Sequence, residues 1–202
     1  FWGRAFRVSP DVLDPRPETE CLIAAALERP ARRLLDLGTG SGIIAVTLLD
    51  AWPQATGVAT DLSAAALAVA RENAERHGVA DRLELRQADW GEGLEGPFDL
   101  ILSNPPYLSG AEMARVPPEL HHDPAMALSP GDDGLGAYRA IAGAAPHLLA
   151  PGGRIMVEIG AMQGVAVAEI FRDAGLDAVD VSPDLDGRDR VVRARSTVRG
   201  VK

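Results

Sequence analysis

The sequence predicts an α/β fold in which a doubly wound, mostly parallel sheet is covered by helices on both faces. Two observations support this prediction: short apolar segments alternate with helical ones from residue 33 onward, and polar residues follow several of the apolar segments. Strands that alternate with helices form mostly parallel sheets, and their functional loops lie at the carboxyl ends of the strands. With 202 residues, 47% of them hydrophobic, the chain has room for one sizeable core.

Strands and helices are predicted in alternation along the chain. One helix runs from a favourable N-cap at Ser63 through His77 to a stop at Gly78. The predicted strands are 34–37, 55–60, 83–87, 98–103, 154–159, 176–181 and 190–194, and the other helices are 42–50, 136–149 (closed by Pro151-Gly152-Gly153) and 165–174. Residues 1–32 are expected to form an N-terminal segment and helix packed on a domain of residues 33–202.

Two segments depart from this alternation. Residues 109–134 are long, Pro-rich and polar, and they include His121-His122-Asp123-Pro124. Long irregular segments of compact domains are usually functional lids or disordered. The Arg-rich stretch 186–202 is interpreted as a solvated edge strand followed by a frayed terminus, with contact to an acidic partner as the weaker alternative.

Composition narrows the classes of partner and compartment. The net charge of −9 argues against broad, sequence-independent nucleic-acid binding, which relies on Lys and Arg. No apolar run reaches the roughly 20 residues that span a bilayer, and no signal-peptide pattern opens the chain. The single Cys21 excludes an intramolecular disulfide, fits a reducing compartment and is expected to pack as a small apolar residue. The Cys and His residues lack metal-ligand spacing, so no metal is expected.

A glycine-rich turn follows the first predicted strand. Asp36-Leu37-Gly38-Thr39-Gly40-Ser41-Gly42 opens a helix, where glycines allow a ligand to approach and the helix N-terminus offers free N–H groups. The spacing does not match the dinucleotide motif G-x-G-x-x-G, and the P-loop motif is absent. A tight strand-to-helix turn without a ligand is the alternative.

Acidic residues follow the next two strands. Asp61 can accept both hydroxyls of a ribose, or it can cap the following helix. Asp89 can accept from an exocyclic amino group, and Trp90 offers an apolar face to a purine or packs in the core. Combined with the glycine turn, these residues predict an adenosine site.

The run Asn104-Pro105-Pro106-Tyr107 directly follows the apolar strand 98–103. Its two prolines fix two φ angles at about −65° and carry no N–H, so the carbonyls here are free acceptors. The Asn104 side chain adds an acceptor oxygen and a donor NH2 group. A rigid loop with convergent acceptors and an aromatic ring suits a planar NH2 group, and a Pro-rich turn without function is the alternative.

These strand ends together resemble the class I S-adenosylmethionine-dependent methyltransferases. Phe1-Trp2-Gly3, Val12-Leu13 and residues 15–20 (Pro-Arg-Pro-Glu-Thr-Glu), taken with 36–42, 89–90 and 104–107, narrow the resemblance to the release-factor glutamine methyltransferases. That family methylates the side-chain amide of the Gln in the Gly-Gly-Gln loop of peptide chain release factors. The resemblance implies a Rossmann-like seven-stranded sheet with an antiparallel C-terminal strand and S-adenosyl-L-methionine as cofactor. It also implies a release factor as protein partner, a cytoplasmic location, and no direct contact with membrane or nucleic acid.

The resemblance also assigns roles to single residues. The methionine moiety would be lined by Gly38, Thr39, Gly40, Ser41 and Gly42, the ribose would be held by Asp61, and the adenine would be flanked by Asp89 and Trp90. The catalytic clamp on the Gln amide would be Asn104, Pro105, Pro106 and Tyr107, with Asn104 also next to the cofactor. The Asn104 side-chain oxygen and the Pro105 carbonyl are expected to accept the two amide N–H groups, and Tyr107 to pack against the amide plane. The segment Arg16-Pro17-Glu18-Thr19 would close the site, although Pro17 and Glu18 equally fit an ordinary helix start. No general base is expected, because His121, His122 and His147 fall outside the motifs.

The sequence departs from the family pattern at a few points. Asp14 stands where an apolar residue, commonly Ile, is expected, and Asp123-Pro124 replaces the more frequent Glu-Pro ahead of Ala127-Leu128. The family's small helical N-terminal domain is absent from the chain, which begins at Phe1 without an initiator Met, as a fragment would.

Other functions stay open from the residues alone. Adenine also presents a planar NH2 group, so an adenine-N6 methyltransferase fits the same clamp. A ribosomal-protein glutamine is a second possible substrate, and a non-catalytic cofactor-binding module is a third reading. The acidic charge and the lack of a basic nucleic-acid recognition domain favour a protein substrate.

Overall fold

A computed structural model describes residues 1–115, 123–131 and 133–197. The strands are β1 (Arg33–Leu37), β2 (Thr56–Asp61), β3 (Leu83–Gln87), β4 (Phe98–Ser103), β5 (Leu149–Glu158), β6 (Leu176–Pro183) and β7 (Asp189–Ser196). The helices are α1 (Thr19–Leu27), α2 (Ile43–Ala51), α3 (Ala64–Arg76), α4 (Gly110–Met113), α5 (Ala125–Leu128), α6 (Gly136–Leu148) and α7 (Gly164–Asp173), with a 3-10 turn at Ala80–Arg82.

Within the described chain the strands form one seven-stranded sheet in the order β3-β2-β1-β4-β5-β7-β6. The neighbours from β3 to β5 are parallel, and β7 is antiparallel to both β5 and β6. In the centre, Leu35 pairs with Val58 on one side and with Ile101 on the other. The predicted fold class is confirmed, including the antiparallel C-terminal strand.

Helices cover both faces of the sheet, which explains why the central strands β1 and β4 are buried over almost their whole length. Leu34 belongs to a cluster built with α1 and α2, whereas its neighbour Leu35 belongs to a cluster built with α6 and α7. Successive residues of a strand point to opposite faces, so a strand covered on both sides buries every side chain.

For several elements, the bounds predicted from local sequence signals agree with the structure to within one or two residues. The bounds of β3 and β4 match the predicted strands. The Ser63 side chain accepts a hydrogen bond from the Ala66 N–H and caps α3, and Gly78, with φ +67°, follows its C-cap. At α1 the match is looser, because Glu18 is the N-cap and Pro17 precedes the helix.

The start of β5 differs from the prediction. The helix α6 ends at Leu148, and β5 begins at Leu149 rather than at Arg154. Phe98 pairs with Leu149 while Leu100 pairs with Arg154, so residues 150–153 form a bulge instead of a separate turn. Pro and Gly in a strand are typical of such irregularities.

The Arg-rich segment near the C-terminus is not an edge strand. β7 lies between β5 and β6, and β6 forms the edge. Arg190 pairs with Asp184, and Arg193 pairs with Asp180 and Glu28. Arg190 and Arg193 therefore have acidic partners within the chain, and residues 198–202, the predicted frayed terminus, lie outside the described residues.

The N-terminal segment shares the core of the sheet domain. Leu22, Ile23 and Ala26 of α1 are fully buried in the same cluster as Leu34 and Ile44. The boundary at residue 33 stays a prediction, because this cluster is continuous across it. In the part of the chain that the structure describes, no helix has the length and apolar character needed to cross a membrane.

Candidate active site

A cavity of about 360 Å³ opens at the carboxyl edge of the parallel strands. It lies beside the point where β1 and β4 are neighbours and the chain order of the strands reverses. Open α/β sheets bind ligands at such a switch point, since the loops on either side diverge. Of the predicted site residues, it is lined by Gly38, Thr39, Gly40, Ser41, Asp61, Asp89, Trp90, Asn104 and Pro106.

The glycine turn after β1 brings backbone close to the cavity. Gly38 has φ +68°, and a Cβ at this position would lie 3.3 Å from the Trp90 ring. Gly40 has φ +55°, and a Cβ there would meet no atom within 4 Å, so its backbone has open space beside it. Both positions need a left-handed backbone that glycine adopts readily. Gly42, also at positive φ, is the N-cap of α2 and does not line the cavity.

Asp61 at the end of β2 is held by two backbone donors. Its Oδ2 accepts from the Gly40 N–H at 2.9 Å, and its Oδ1 accepts from the Ser63 N–H at 2.9 Å. A carboxylate has about four lone-pair sites, so each oxygen keeps capacity for a further donor. The side chain thus joins the glycine turn to the start of α3 while presenting acceptors to the cavity.

Asp89 and Trp90 lie just beyond the end of β3 at Gln87. Asp89 is exposed at the cavity wall, and Trp90 is partly buried with φ +48°. The Trp90 carbonyl accepts from the Thr60 hydroxyl at 3.2 Å, which fixes the turn. The Trp90 ring packs against the core and also lines the cavity, and its contact with a purine stays a prediction.

Asn104 and Pro106 line the cavity, whereas Pro105 is buried and Tyr107 lies outside the lining residues. The Tyr107 N–H donates to the Leu128 carbonyl at 3.2 Å, and the Tyr107 carbonyl accepts from Gln163 Nε2 at 2.9 Å. Burial raises the pKa of Tyr107. The roles given to Pro105 and Tyr107 at the Gln amide stay predictions.

A buried hydroxyl and carboxylate lie behind Asn104. Asn104 Nδ2 donates to Thr19 Oγ1 at 3.0 Å, and Thr19 Oγ1 donates to Glu158 Oε2 at 2.7 Å. Burial raises the pKa of Glu158 to about 7, against the lowering effects of the Thr19 hydrogen bond and Arg190. The sequence reasoning missed Glu158. Its position at the end of an apolar strand was the available signal, the same one that identified Asp61 and Asn104.

A second buried carboxylate, Asp36, anchors the glycine turn. Its Oδ2 accepts from the Thr39 hydroxyl at 2.6 Å and from the Ala45 N–H at 3.2 Å. Its Oδ1 has no hydrogen-bond partner within the described residues, and burial raises the pKa of Asp36 to about 7. The carboxylate therefore fixes both the turn and the first residues of α2.

Two segments roof the cavity. Residues 11–14 and Arg16 come from the N-terminal side, and Pro124, Met126, Ala127 and Pro130 come from the segment predicted as a lid. Arg16 pairs with Asp123 at 2.5 Å, and Asp123 Oδ1 also accepts from the Asp14 N–H at 3.3 Å. The positions that depart from the family pattern, Asp14 and Asp123, therefore meet here, through the backbone of Asp14 rather than its side chain.

The histidines and the candidate metal ligands can be located only within the described residues. His121 and His122 lie outside the described residues, and His147 does not line the cavity. Among residues 1–115, 123–131 and 133–197, no group of three or more His, Cys, Asp or Glu side chains is placed to hold a metal ion.

Comparison of the chain with known proteins agrees with this geometry. The family model described as "Methyltransferase small domain" matches residues 9–135. A release factor glutamine methyltransferase of Cereibacter sphaeroides is 63% identical over 196 residues, covering 96% of this chain and 70% of the relative. One of Rhodospirillum rubrum is 42% identical over 204 residues, covering 99% of this chain and 63% of the relative.

The fold is also that of solved methyltransferases. A methyltransferase from Pyrococcus furiosus superposes with a TM-score of 0.72 at 18% identity, covering 95% of this chain and 88% of the other. At that identity the likeness concerns the fold alone, while the family follows from the 63% identical relative. On this sequence similarity, the chain belongs to the release factor glutamine methyltransferases.

Proposed function

We propose that the chain transfers a methyl group from S-adenosylmethionine to the side-chain nitrogen of the glutamine in the Gly-Gly-Gln loop of a release factor. The observation that carries the proposal is the position of Asn104. Its side chain lies at the end of β4 in the same cavity as the glycine turn and Asp61, and its NH2 group is bonded to Thr19. The side-chain oxygen is thereby left as an acceptor for a planar NH2 group.

The cavity fits the methyl donor of this family in volume and in chemistry. Small-molecule sites commonly enclose about 300–1,000 Å³, and the cavity of about 360 Å³ lies within that range. Three features suit the three parts of the methyl donor: the open space beside Gly40 suits the methionine moiety, the Asp61 carboxylate suits the ribose, and the Trp90 ring suits the adenine. When bound, S-adenosylmethionine supplies an electrophilic methyl group on a sulfonium centre.

Asn104 orients the glutamine nitrogen rather than removing its proton. An amide nitrogen is a poor nucleophile because its lone pair is delocalised into the carbonyl. Acceptors on Asn104 and on the Pro105 carbonyl direct the two N–H groups, so the nitrogen faces the donor and charge that develops there is stabilised. Placement of reacting atoms at about 3–3.5 Å lowers a barrier by several kcal/mol.

A protein substrate is favoured over a nucleic acid by the charge of the chain. The net charge of −9 opposes attraction to phosphates. The two curated relatives named above are both release factor glutamine methyltransferases, which supports a release factor as the partner. Such a partner belongs to the translation machinery, so we place the enzyme in the cytoplasm.

Calorimetric titration with S-adenosylmethionine, followed by transfer assays, tests this function. The proposal expects donor binding and methyl transfer to a Gly-Gly-Gln peptide or to intact release factor. Transfer to an adenine-containing oligonucleotide but to neither protein substrate contradicts it. Donor binding without transfer to any of these substrates supports a non-catalytic module instead.

A further inference from the structure

The hydroxyl of Thr19 is buried between two polar side chains on different elements. Thr19 opens α1 with no exposed surface, Asn104 follows β4, and Glu158 ends β5 with 2% of its surface exposed. The distance from Asn104 Nδ2 to Thr19 Oγ1 is 3.0 Å, and that from Thr19 Oγ1 to Glu158 Oε2 is 2.7 Å. Asn104 and Glu158, which lie 85 and 139 positions after Thr19 in the sequence, thus meet at the Thr19 hydroxyl oxygen.

The direction of these hydrogen bonds is fixed by the number of protons. A threonine hydroxyl has one proton and can accept with its lone pairs, whereas an ionised carboxylate only accepts. When Glu158 is ionised, the Thr19 proton goes to Glu158, and Thr19 can only accept from Asn104. The Asn104 amide must then point its NH2 group toward Thr19, and within the described chain no donor bonds its Oδ1.

We infer that Thr19 and Glu158 are positioning residues that hold the Asn104 amide in the one orientation in which its oxygen faces the substrate nitrogen. This inference rests on the proposed function, since it assigns the cause of the Asn104 orientation on which that function depends. An Asn104 turned the other way would present a donor to a donor, and the glutamine NH2 group would be repelled.

Burial raises the pKa of Glu158 to about 7, so the carboxyl group is ionised and accepts from Thr19 above that pH. Arg190 on β7 favours the charged form, whereas burial and Glu18 on α1 oppose it. Burial raises the pKa of Tyr107 and of Tyr138, and the charge of Glu158 adds to this effect. Kinetics measured at pH 8 therefore report the state in which Glu158 accepts from Thr19.

Two variants, Thr19→Val and Thr19→Ser, distinguish the effect of the Thr19 hydroxyl on kcat from the effect of the side-chain shape. Valine matches threonine in shape and removes the hydroxyl, whereas serine keeps the hydroxyl. We expect Thr19→Val to lower kcat for a Gly-Gly-Gln peptide at least tenfold, with the KM for S-adenosylmethionine changed less than threefold. Thr19→Ser is expected to restore kcat to within about threefold of the wild-type chain.

Thr47→Val is the matched control. Thr47 is fully buried on α2, its hydroxyl has no partner within the described residues, and it does not line the cavity. This variant makes the same chemical change in the same domain, and we expect its kcat to equal that of the wild type. Glu158→Leu removes every hydrogen-bond acceptor from this side chain, so it serves as the second test if Thr19→Val does not fold, and it is expected to lower kcat as well.

The outcomes separate this inference from the proposed function. A wild-type chain that fails to methylate the peptide and the release factor contradicts the function itself, before any variant is compared. If the wild type is active, equal kcat values for Thr19→Val and wild type, or for Glu158→Leu and wild type, overturn the inference. A fall in kcat for Thr19→Val that Thr19→Ser does not restore also overturns it, because the hydroxyl is then not the cause.

Discussion

Asn104 combines the two hydrogen-bonding groups that the proposed chemistry needs. Its NH2 group is bonded to Thr19 at 3.0 Å, which leaves its oxygen for the substrate. An interaction that strengthens as charge develops at the reacting nitrogen affects kcat more than binding. A change at Asn104 is therefore expected to affect the rate of methyl transfer much more than the affinity for S-adenosylmethionine.

Replacing Asn104 by Ala is expected to abolish methyl transfer, with a fall in kcat of at least about a hundredfold. The affinity for S-adenosylmethionine, measured by calorimetry, is expected to stay within about tenfold of the wild type. A variant that keeps a near-wild-type rate contradicts the role given to Asn104.

Replacing Asp61 by Ala is expected to weaken donor binding first, raising the Kd at least tenfold. The change removes the acceptors for ribose hydroxyls and the bond to the Gly40 N–H, so both the ligand contact and the shape of the glycine turn are lost. Asp81→Ala, at an exposed position on the 3-10 turn, is the control. An unchanged Kd for Asp61→Ala argues against the ribose assignment.

At the scale of elements, the site is assembled where loops from separate strands meet, and a roof closes over them. The roof joins the N-terminal segment to the segment before α5 through Arg16 and Asp123, whose side chains are 35% and 7% exposed. An ion pair with one buried partner is screened less than a surface pair, so its loss is expected to matter.

Asp123→Ala is expected to open this roof and raise the Kd for S-adenosylmethionine about three- to tenfold, while Asp123→Glu retains the charge and the closure. Stopped-flow measurement of donor dissociation checks this, since weaker closure appears mainly as faster release. Asp133→Ala is the control, because it removes an exposed ion pair with Arg139 and does not touch the cavity. Equal dissociation rates for Asp123→Ala and Asp133→Ala contradict the closing role of the roof.

The sequence predicted those elements whose signals are local. The strands β3 and β4 and the cap at Ser63 could be placed because apolar runs and capping residues act over a few positions. The bulge in β5 could not, because it depends on how residues 150–153 fit against β4. The inner position of β7 depends on strand order, which periodicity along one chain does not reveal.

In the candidate site, too, the residues with local sequence signals could be predicted, whereas the contacts between distant residues could not. Gly38, Asp61 and Asn104 were found because polar or glycine residues directly follow strands. The contact of Thr19 with Glu158 and the packing of Tyr107 away from the cavity needed the assembled fold, since the partners are distant in sequence.

In the whole molecule, helices cover both faces of a single sheet, and two buried carboxyl groups, Asp36 and Glu158, lie near the edge of the sheet where the cavity opens. Burial raises the pKa of Asp36 and of Glu158 to about 7. In an unfolded chain these groups titrate at about 4. Between these values the folded state binds more protons, so the free energy of unfolding falls as pH rises.

The unfolding free energy is therefore expected to decrease from pH 5 to pH 7 and to level off above pH 7. Each carboxyl contributes a slope of at most ~1.4 kcal/mol per pH unit. Urea unfolding at pH 5, 6, 7 and 8 measures this, and Asp36→Asn is expected to remove part of the slope. A stability that rises from pH 5 to pH 7 contradicts the raised pKa values of these two carboxyl groups.

The residue that receives the methyl group is the sharpest test of the proposed function. Release factor is incubated with the chain and labelled S-adenosylmethionine, digested, and analysed by tandem mass spectrometry, with Asn104→Ala in parallel. We expect label on the side chain of the Gln in the Gly-Gly-Gln peptide with the wild type and none with the variant. Label on another residue, or on an adenine when RNA is supplied in place of release factor, would contradict the proposed function.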